Sequence, residues 1–220
     1  MQHTAIIDYG TGNLRSVENA LKRLNAGYVV TSDAAVIRSA DKVILPGVGE
    51  ASSAMEKLHD AGLDEVILNL TRPVLGICIG MQLLCESSEE GDTACLGIFR
   101  TAVRRLGETF PPGSRPGNAI PYKTRLKIPE MGWNSIRCLR TGTGGTDRED
   151  RQLFNGIPDG SYVYYVHSYA PDICEDTIAI TEYGRPFSAA LRRGNFFGTQ
   201  FHPEKSGSIG QKILANFLEL

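Results

Sequence analysis

The first half of the chain alternates between short apolar runs and longer stretches with helical spacing of apolar residues. The apolar runs predict β-strands at 4–8, 28–31, 42–45 and 74–77. Apolar residues spaced on one stripe predict helices at 13–24, 52–61 and 79–85, and Gly62 is placed to cap the second of these. Strands that alternate with amphipathic helices indicate βαβ units around a buried parallel sheet.

The second half is rich in strands and closes with a helix. Strands are predicted at 99–106, 134–139, 162–169, 177–183, 188–192 and 196–201, and the last helix at 209–218. Two segments rich in Gly, Pro and charge, 111–129 and 141–151, are predicted to be irregular surface loops. The pattern predicts a single α/β domain over 1–220, with a central mixed, mostly parallel sheet flanked by helices and extended by antiparallel strands.

Composition limits the classes of partner. The 220 residues carry a net charge of −2, with no basic patch interleaved with aromatics, so we expect no nucleic-acid partner. No apolar run approaches 18 residues, which argues against a membrane span. Five cysteines at irregular spacing, with no C-x-x-C pair, favour reduced thiols, a cytoplasmic location and no structural zinc.

Nothing in the sequence predicts a nucleotide cofactor. Gly10 and Gly12 begin a dinucleotide fingerprint, but the third glycine position is occupied by Arg15. The chain also lacks the G-x-x-x-x-G-K-[ST] pattern of a P-loop, so we do not expect it to bind ATP. We therefore expect no cofactor and no metal.

Cys78 lies in the one cysteine context that predicts catalysis. Gly76 and Gly80 flank it at two positions on either side, between an apolar strand and a helix, as in a nucleophile elbow with cysteine in place of serine. The adjoining helix N-terminus favours the thiolate, and the amide of Ile79 points to where an oxyanion forms. A buried structural cysteine in a tight turn is the alternative interpretation.

A nucleophilic cysteine needs a base, and the base needs an orienting acceptor. The strongest candidates are His202 and Glu204, separated by Pro203. Proline favours an extended backbone at the residue before it, and in an extended run alternate residues share one face. His202 is therefore the predicted base and Glu204 the predicted orienter. A strand-end histidine followed by a turn is the alternative.

These motifs resemble those of the class I (triad) glutamine amidotransferases. The resemblance covers nearly the whole chain and rests on the Gly76–Gln82 and His202–Glu204 segments. Three further segments, 8–13, 45–49 and 132–134, resemble the family of glutaminase subunits of imidazole glycerol phosphate synthase, which serves histidine biosynthesis. The chain departs from the family pattern at Glu130, where a histidine is common.

The resemblance implies roles for further residues. Cys78 would form a glutamyl thioester, with His202 as base and acid. The backbone amides of Val48 and Ile79 would hold the oxyanion, and glycines around Val48 make a peptide flip there sterically cheap. The glutamine substrate would be held by Gly49, Gln82, Glu90, Ser168 and Tyr169. His167 would support this site without reacting.

The resemblance also implies an obligate heterodimer with a (β/α)₈-barrel cyclase, into which ammonia would pass. Candidates for the docking face or ammonia gate are Asn13, Arg15, Trp133, Tyr164 and Lys205. Each has a local alternative: Asn13 is also placed to cap a helix, and Trp133 is equally compatible with the core.

Two other functions stay open at this point. One is the glutaminase subunit of a different biosynthetic synthase, such as those for pyridoxal phosphate, anthranilate or guanylate, against which segments 8–13 and 132–134 argue. The other is a cysteine peptidase or a binding protein of similar α/β fold, against which Gln82, Glu90 and Ser168 argue, because they suit a glutamine pocket.

Overall fold

The computed structural model describes residues 3–10, 13–107, 126–139 and 152–220. Its strands are β1 (His3–Ile7), β2 (Gly27–Thr31), β3 (Lys42–Leu45), β4 (Val74–Ile77), β5 (Cys85–Ser88), β6 (Thr93–Ala94), β7 (Phe99–Arg105), β8 (Glu130–Ser135), β9 (Arg137–Cys138), β10 (Tyr162–His167), β11 (Tyr169–Pro171), β12 (Thr177–Tyr183), β13 (Arg185–Arg193) and β14 (Phe196–Thr199). Its helices are α1 (Leu14–Arg23), α2 (Ala34–Ser39), α3 (Ala51–Asp60), α4 (Leu63–Leu68), α5 (Ile79–Leu83) and α6 (Gly207–Leu218), with a 3₁₀ helix at Pro203–Lys205. The predicted loop 141–151, and 111–125 of the other loop, lie outside the described residues.

The largest sheet has eight strands in the order β2-β1-β3-β4-β14-β13-β12-β9. The first five are parallel, whereas β13, β12 and β9 continue the sheet in antiparallel pairs. The predicted mixed sheet with an antiparallel extension is confirmed. The parallel strands are short apolar runs, all buried in β3, β4 and β14, because helices cover both faces of such a sheet.

Two smaller sheets complete the fold. The strands β8 and β10 form an antiparallel ribbon, and β11-β7-β5-β6 form a four-stranded sheet. The sequence predicted one strand at 134–139 and one at 162–169, and both predictions were wrong. The first breaks at Ile136 because β8 pairs with β10 and β9 with β12. The second breaks at Ser168, where the chain leaves the ribbon and pairs with β7.

The helix predictions were correct in position but incomplete. The helix predicted at 79–85 ends at Leu83, and Cys85 begins β5. Two short helices, α2 and α4, were not predicted; the side chain of Asp33 caps α2 by accepting the amides of Ala35 and Val36. Gly62 ends α3 as predicted, with φ of 64° and its amide bonded to His59 O. No helix among the described residues is long and apolar enough to span a membrane.

The sheet brings the segments singled out in the sequence to one edge. In the register of the parallel strands, Leu45 lies beside Gly76 and Ile77 beside Thr199. The chain therefore leaves β3, β4 and β14 at neighbouring points, toward Pro46, Cys78 and His202 respectively. Ligand sites of open α/β sheets form at this carboxyl edge of the strands.

Candidate active site

Cys78 is held in a strained turn between β4 and α5. Its φ and ψ are 54° and −111°, a region that residues with a side chain rarely adopt and that costs about 1–3 kcal/mol. Glycine is required two positions before and two positions after Cys78. A Cβ on Gly80 would overlap the Leu45 carbonyl oxygen, and a Cβ on Gly76 would lie 2.7 Å from the Gly80 oxygen. The predicted nucleophile elbow is confirmed in its geometry.

The Cys78 sulfur is buried and faces polar groups. Only 4% of the residue is exposed. The side-chain nitrogen of Gln200 lies 3.6 Å from Sγ, within range of an N–H···S bond, and the Val166 carbonyl lies 4.0 Å away. His202 is close enough to the same sulfur for Cys78 to raise the pKa of its ring. These polar surroundings make Cys78 a candidate nucleophile.

His202 and Glu204 form a buried pair. His202 Nδ1 lies 2.8 Å from Glu204 Oε1, and both side chains are at most 2% exposed. The predicted pairing is therefore present, although the backbone differs from the prediction: His202 is extended, but residues from Pro203 onward turn into a 3₁₀ helix. The turn, and not a continuous extended run, brings the carboxylate beside the ring.

The pair has an electrostatic consequence for His202. Burial opposes the charged imidazolium, but interactions with Cys78 and with the Glu204 carboxylate outweigh it, so the pKa of His202 rises to about 10. Nε2 of His202 makes no hydrogen bond within the described residues, although Cys78 is close enough to raise the pKa. This nitrogen is left available for a proton transfer in the cavity.

Backbone bonds fix His202 against the ribbon of β8 and β10. The His202 amide donates to the Tyr164 carbonyl at 2.9 Å. The buried Ser206 hydroxyl donates to the His202 carbonyl at 2.7 Å and accepts the Tyr164 amide at 3.0 Å. The position of the histidine therefore depends on β10, which also carries the exposed face described below.

The predicted oxyanion strand follows β3 and lies against the elbow. Gly47 leaves no room for a side chain, because a Cβ there would lie 2.9 Å from the Ile79 carbonyl carbon. Gly49 has φ of 100°, which glycine adopts without strain. The buried hydroxyl of Tyr9 donates to the Pro46 carbonyl at 2.8 Å and fixes the start of this segment.

A cavity of about 380 Å³ opens beside the sulfur. It brings together ten of the predicted site residues with three that were not predicted as ligands. Its lining consists of Val48, Gly49, Cys78, Ile79, Gln82, Glu90, Pro129, Val166, His167, Ser168, Tyr169, His202 and Lys205. Glu204 lies behind His202 and does not line it. The volume suits a small polar metabolite and not a folded segment of peptide.

Two predicted substrate ligands already have protein partners. Glu90 Oε2 accepts the Ala51 amide at the start of α3, at 2.9 Å. Burial nevertheless raises the pKa of Glu90, an effect that this hydrogen bond only partly offsets. Gln82 donates its side-chain N–H groups to the Tyr169 carbonyl and to Gln200, whereas its buried Oε1 has no partner among the described residues. An orphaned buried acceptor in a cavity wall is suited to a ligand N–H.

The interface candidates differ in their exposure and in the contacts of their side chains. Trp133 is 55% exposed, so the core interpretation is wrong; it packs edge-on against Tyr164, directly opposite in the ribbon, with ring centroids 6.0 Å apart. Lys205 is exposed at the cavity mouth. Arg15 is exposed on α1. Asn13 precedes α1 with φ of 96°, but its side chain makes no capping bond.

Sequence reasoning missed several groups around the cavity. Gln200 is wholly buried and bonded to both Gln82 and Cys78. No local pattern in the sequence marks Gln200, because both of its partners are distant in the chain. His167 contacts Glu130 at 3.0 Å and the Tyr169 carbonyl at 2.8 Å, so Glu130 is its buried partner.

Comparison with known proteins places this constellation in a family. The model of the class-I glutamine amidotransferases matches residues 5–220. The imidazole glycerol phosphate synthase subunit HisH of Bacteroides fragilis is 50% identical over 216 residues, 98% of each chain, and that of Yersinia pseudotuberculosis is 45% identical over the same share. The structure of PurLQS from Thermotoga maritima has a TM-score of 0.65 at 18% identity, covering 99% of this chain and 98% of that one. A glutamine amidotransferase structure scores 0.66 at 17% identity, covering 98% and 97%.

The solved structures support the fold alone, because their sequences differ too much to carry more. The full-length identity to the HisH subunits is decisive, and the glycine-flanked Cys78 and the buried His202–Glu204 pair agree with it. This chain belongs to the class-I glutamine amidotransferase family and, within it, to the family of imidazole glycerol phosphate synthase HisH subunits.

Proposed function

We propose that the chain hydrolyses glutamine to glutamate and ammonia through Cys78, His202 and Glu204. The ammonia passes to a (β/α)₈-barrel cyclase, which makes imidazole glycerol phosphate and an aminoimidazole carboxamide ribotide for histidine biosynthesis. The observation that carries the proposal is the buried Cys78 beside the His202–Glu204 pair, in a chain half identical to HisH subunits. In this proposal one amidotransferase domain spans 1–220 and works in the cytoplasm.

The reaction begins with transfer of the Cys78 thiol proton to His202. Burial opposes the charged imidazolium, but Cys78 and Glu204 together raise the pKa of His202 to about 10, which favours this transfer. The thiolate attacks the side-chain carbonyl of glutamine, and the amides of Val48 and Ile79 receive the oxyanion. His202 then gives its proton to the amide nitrogen as the C–N bond breaks. Ammonia leaves and a glutamyl thioester remains.

The second half of the reaction uses His202 in the opposite sense. In the thioester the sulfur is neutral, so the main cause of the raised His202 pKa is removed. The imidazole then accepts a proton from water, the hydroxide adds to the thioester carbonyl, and the C–S bond breaks. Glutamate leaves and the thiolate–imidazolium pair is restored. Glu204 holds the same ring nitrogen through both steps.

The cavity has groups that match the two ends of glutamine. Glu90 presents a carboxylate to the α-ammonium group, while Ser168 and neighbouring amides suit the α-carboxylate. At the other end, the unpartnered Oε1 of Gln82 suits an N–H of the substrate amide. Gly49 and Tyr169 complete the walls. These assignments orient the substrate with its amide over Cys78.

The ribbon of β8 and β10 supplies the docking face for the cyclase. Its outer side exposes Met131, Trp133 and Tyr162 at 64%, 55% and 60%, with Tyr164 beside Trp133. Aromatic anchors of this kind are typical of interface centres. The carbonyl of Val166, on the same strand, lies 4.0 Å from the Cys78 sulfur, so the face adjoins the reacting atom. Asn13, Arg15 and Lys205 remain further candidates for the contact with the cyclase.

The test is glutamate release from glutamine by the purified chain, alone and with a barrel cyclase and its nucleotide ligand. We expect slow release alone, because loss of one oxyanion donor commonly costs about 10²–10³ in rate, and the Val48 peptide completes the hole only in the complex. A rate that the cyclase leaves unchanged would instead assign the chain to another synthase. No release in either condition, from folded protein, would favour a peptidase or binding protein.

A further inference from the structure

Gln200 is a buried amide that the mechanism above does not use. It follows β14, and its own amide N–H donates to the Ala189 carbonyl at 2.9 Å. It is 0% exposed and does not line the cavity, so it is not placed to contact substrate. A fully buried glutamine side chain is costly unless its polar atoms are bonded. The two partners of this side chain are Gln82 and the reactive sulfur.

The backbone carbonyl of Tyr169 determines the direction of the hydrogen bonds that link Gln82, Gln200 and Cys78. The Tyr169 carbonyl only accepts, so the Gln82 atom 3.0 Å from it is the nitrogen. The same nitrogen lies 3.0 Å from Gln200, which must therefore present its oxygen. The nitrogen of Gln200 is then turned toward Cys78 Sγ, 3.6 Å away, and donates to it. The orientation of both amides follows from hydrogen-bond chemistry.

We propose that Gln200 is a positioning residue that holds the Cys78 thiolate through a side-chain N–H donor. An N–H donor stabilises a thiolate more than a neutral thiol, because the acceptor is charged. The bond therefore favours the reactive form and weakens once the sulfur is acylated. The inference rests on the proposed function in assigning Cys78 as the nucleophile, but its test measures the sulfur directly.

The effect of Gln200 on Cys78 can be separated from the effects of the ionisable groups around the sulfur. The ionisable side chains that share the cavity with Cys78 are Glu90, His167, Tyr169, His202 and Lys205. None of them is altered in the variants below. The neighbour Thr199 supplies a matched control, because its buried hydroxyl has no partner within the described residues and Thr199→Val conserves its shape.

The experiment compares Gln200→Met, which removes the donor, and Gln200→Glu, which places a negative oxygen toward the sulfur. The rate of alkylation at Cys78 by iodoacetamide is followed against pH in the full chain, with the labelled peptide identified by mass spectrometry. We expect Gln200→Met to react about tenfold more slowly at pH 7 and to shift the midpoint of the profile upward by about one unit. We expect a larger upward shift in Gln200→Glu and no shift in Thr199→Val.

Steady-state kinetics of the complex with the cyclase give a second readout. We expect kcat to fall in both Gln200 variants. KM for glutamine should stay within about twofold, because the Tyr169 carbonyl still holds the Gln82 side chain in Gln200→Met and Gln200→Glu also keeps an oxygen that accepts from it. Folded Gln200→Met with the wild-type alkylation profile would overturn the proposal and leave Gln200 as a packing residue. A shifted profile in a chain without glutaminase activity would retain the proposal and reject the proposed function.

Discussion

The Glu204 carboxylate is the part of the site whose contribution is most readily isolated. Glu204→Gln keeps the size of the side chain and an oxygen that accepts from His202 Nδ1, but removes the charge. The imidazolium that forms during the reaction then lacks its buried counter-ion. We expect kcat for glutamine hydrolysis in the complex to fall. The complex should stay assembled, because the Glu204 side chain is only 1% exposed and does not reach the surface.

The magnitude follows from the burial of the pair. Both side chains are at most 2% exposed, so water does not replace the lost charge. Leaving a buried charge without its partner commonly costs about 3–5 kcal/mol of folding free energy. The same lost interaction acts on the imidazolium of the transition state, and the retained hydrogen bond places the loss at the lower end. About 3 kcal/mol corresponds to a fall of about a hundredfold in rate. The assay is glutamate release with saturating glutamine and cyclase.

The dependence of activity on pH tests the same account of Glu204, because it predicts the direction in which the alkaline limb moves. His202 must carry a proton to release ammonia, so activity is present below its pKa of about 10 and is lost as pH rises through that value. Glu204 is one of the causes that raise this pKa, so Glu204→Gln should move the alkaline limb to lower pH. The exposed Glu56→Gln on α3 is the control and should change neither rate nor limb. If Glu204→Gln hydrolyses glutamine within threefold of the wild-type rate and its alkaline limb lies at the wild-type pH, Glu204 does not act as the counter-ion of His202.

Three further substitutions probe other parts of the molecule. Gly80→Ala should lower the free energy of unfolding by about 1–3 kcal/mol in urea titrations, because its Cβ overlaps the Leu45 carbonyl; unchanged stability would contradict the tight elbow. Trp133→Ala should weaken cyclase binding about thirtyfold by calorimetry, as an exposed aromatic anchor does, and a loss below threefold would move the docking face elsewhere. Glu90→Gln should raise KM for glutamine about tenfold with kcat nearly unchanged; an unaltered KM would remove Glu90 from the ammonium site.

Local patterns in the sequence were sufficient to predict the centre of the site. The elbow at Cys78 depends on glycines within two positions and on one strand–helix junction, all of which are adjacent in the chain. The His202–Glu204 pair likewise spans three residues. The central parallel strands β3 and β4 were predicted because burial on both faces makes each of them a continuous apolar run.

The features that were missed depend on contacts between distant parts of the chain. Gln200 bonds to Gln82, 118 positions away, and His167 pairs with Glu130, 37 positions away. No local pattern marks such partners. The break at Ile136 has the same origin, since β-propensity is continuous through it and only the choice of pairing strands divides it.

The central claim is that Cys78 performs glutamine hydrolysis and nothing else in the synthase. The most direct test is the rate of imidazole glycerol phosphate formation by the complex carrying Cys78→Ala, with glutamine or with an ammonium salt as nitrogen donor. The account predicts no product from glutamine and wild-type product formation from ammonia, with glutamate release abolished. Product from glutamine in this variant, or loss of the ammonia-fed reaction in an assembled complex, would contradict it.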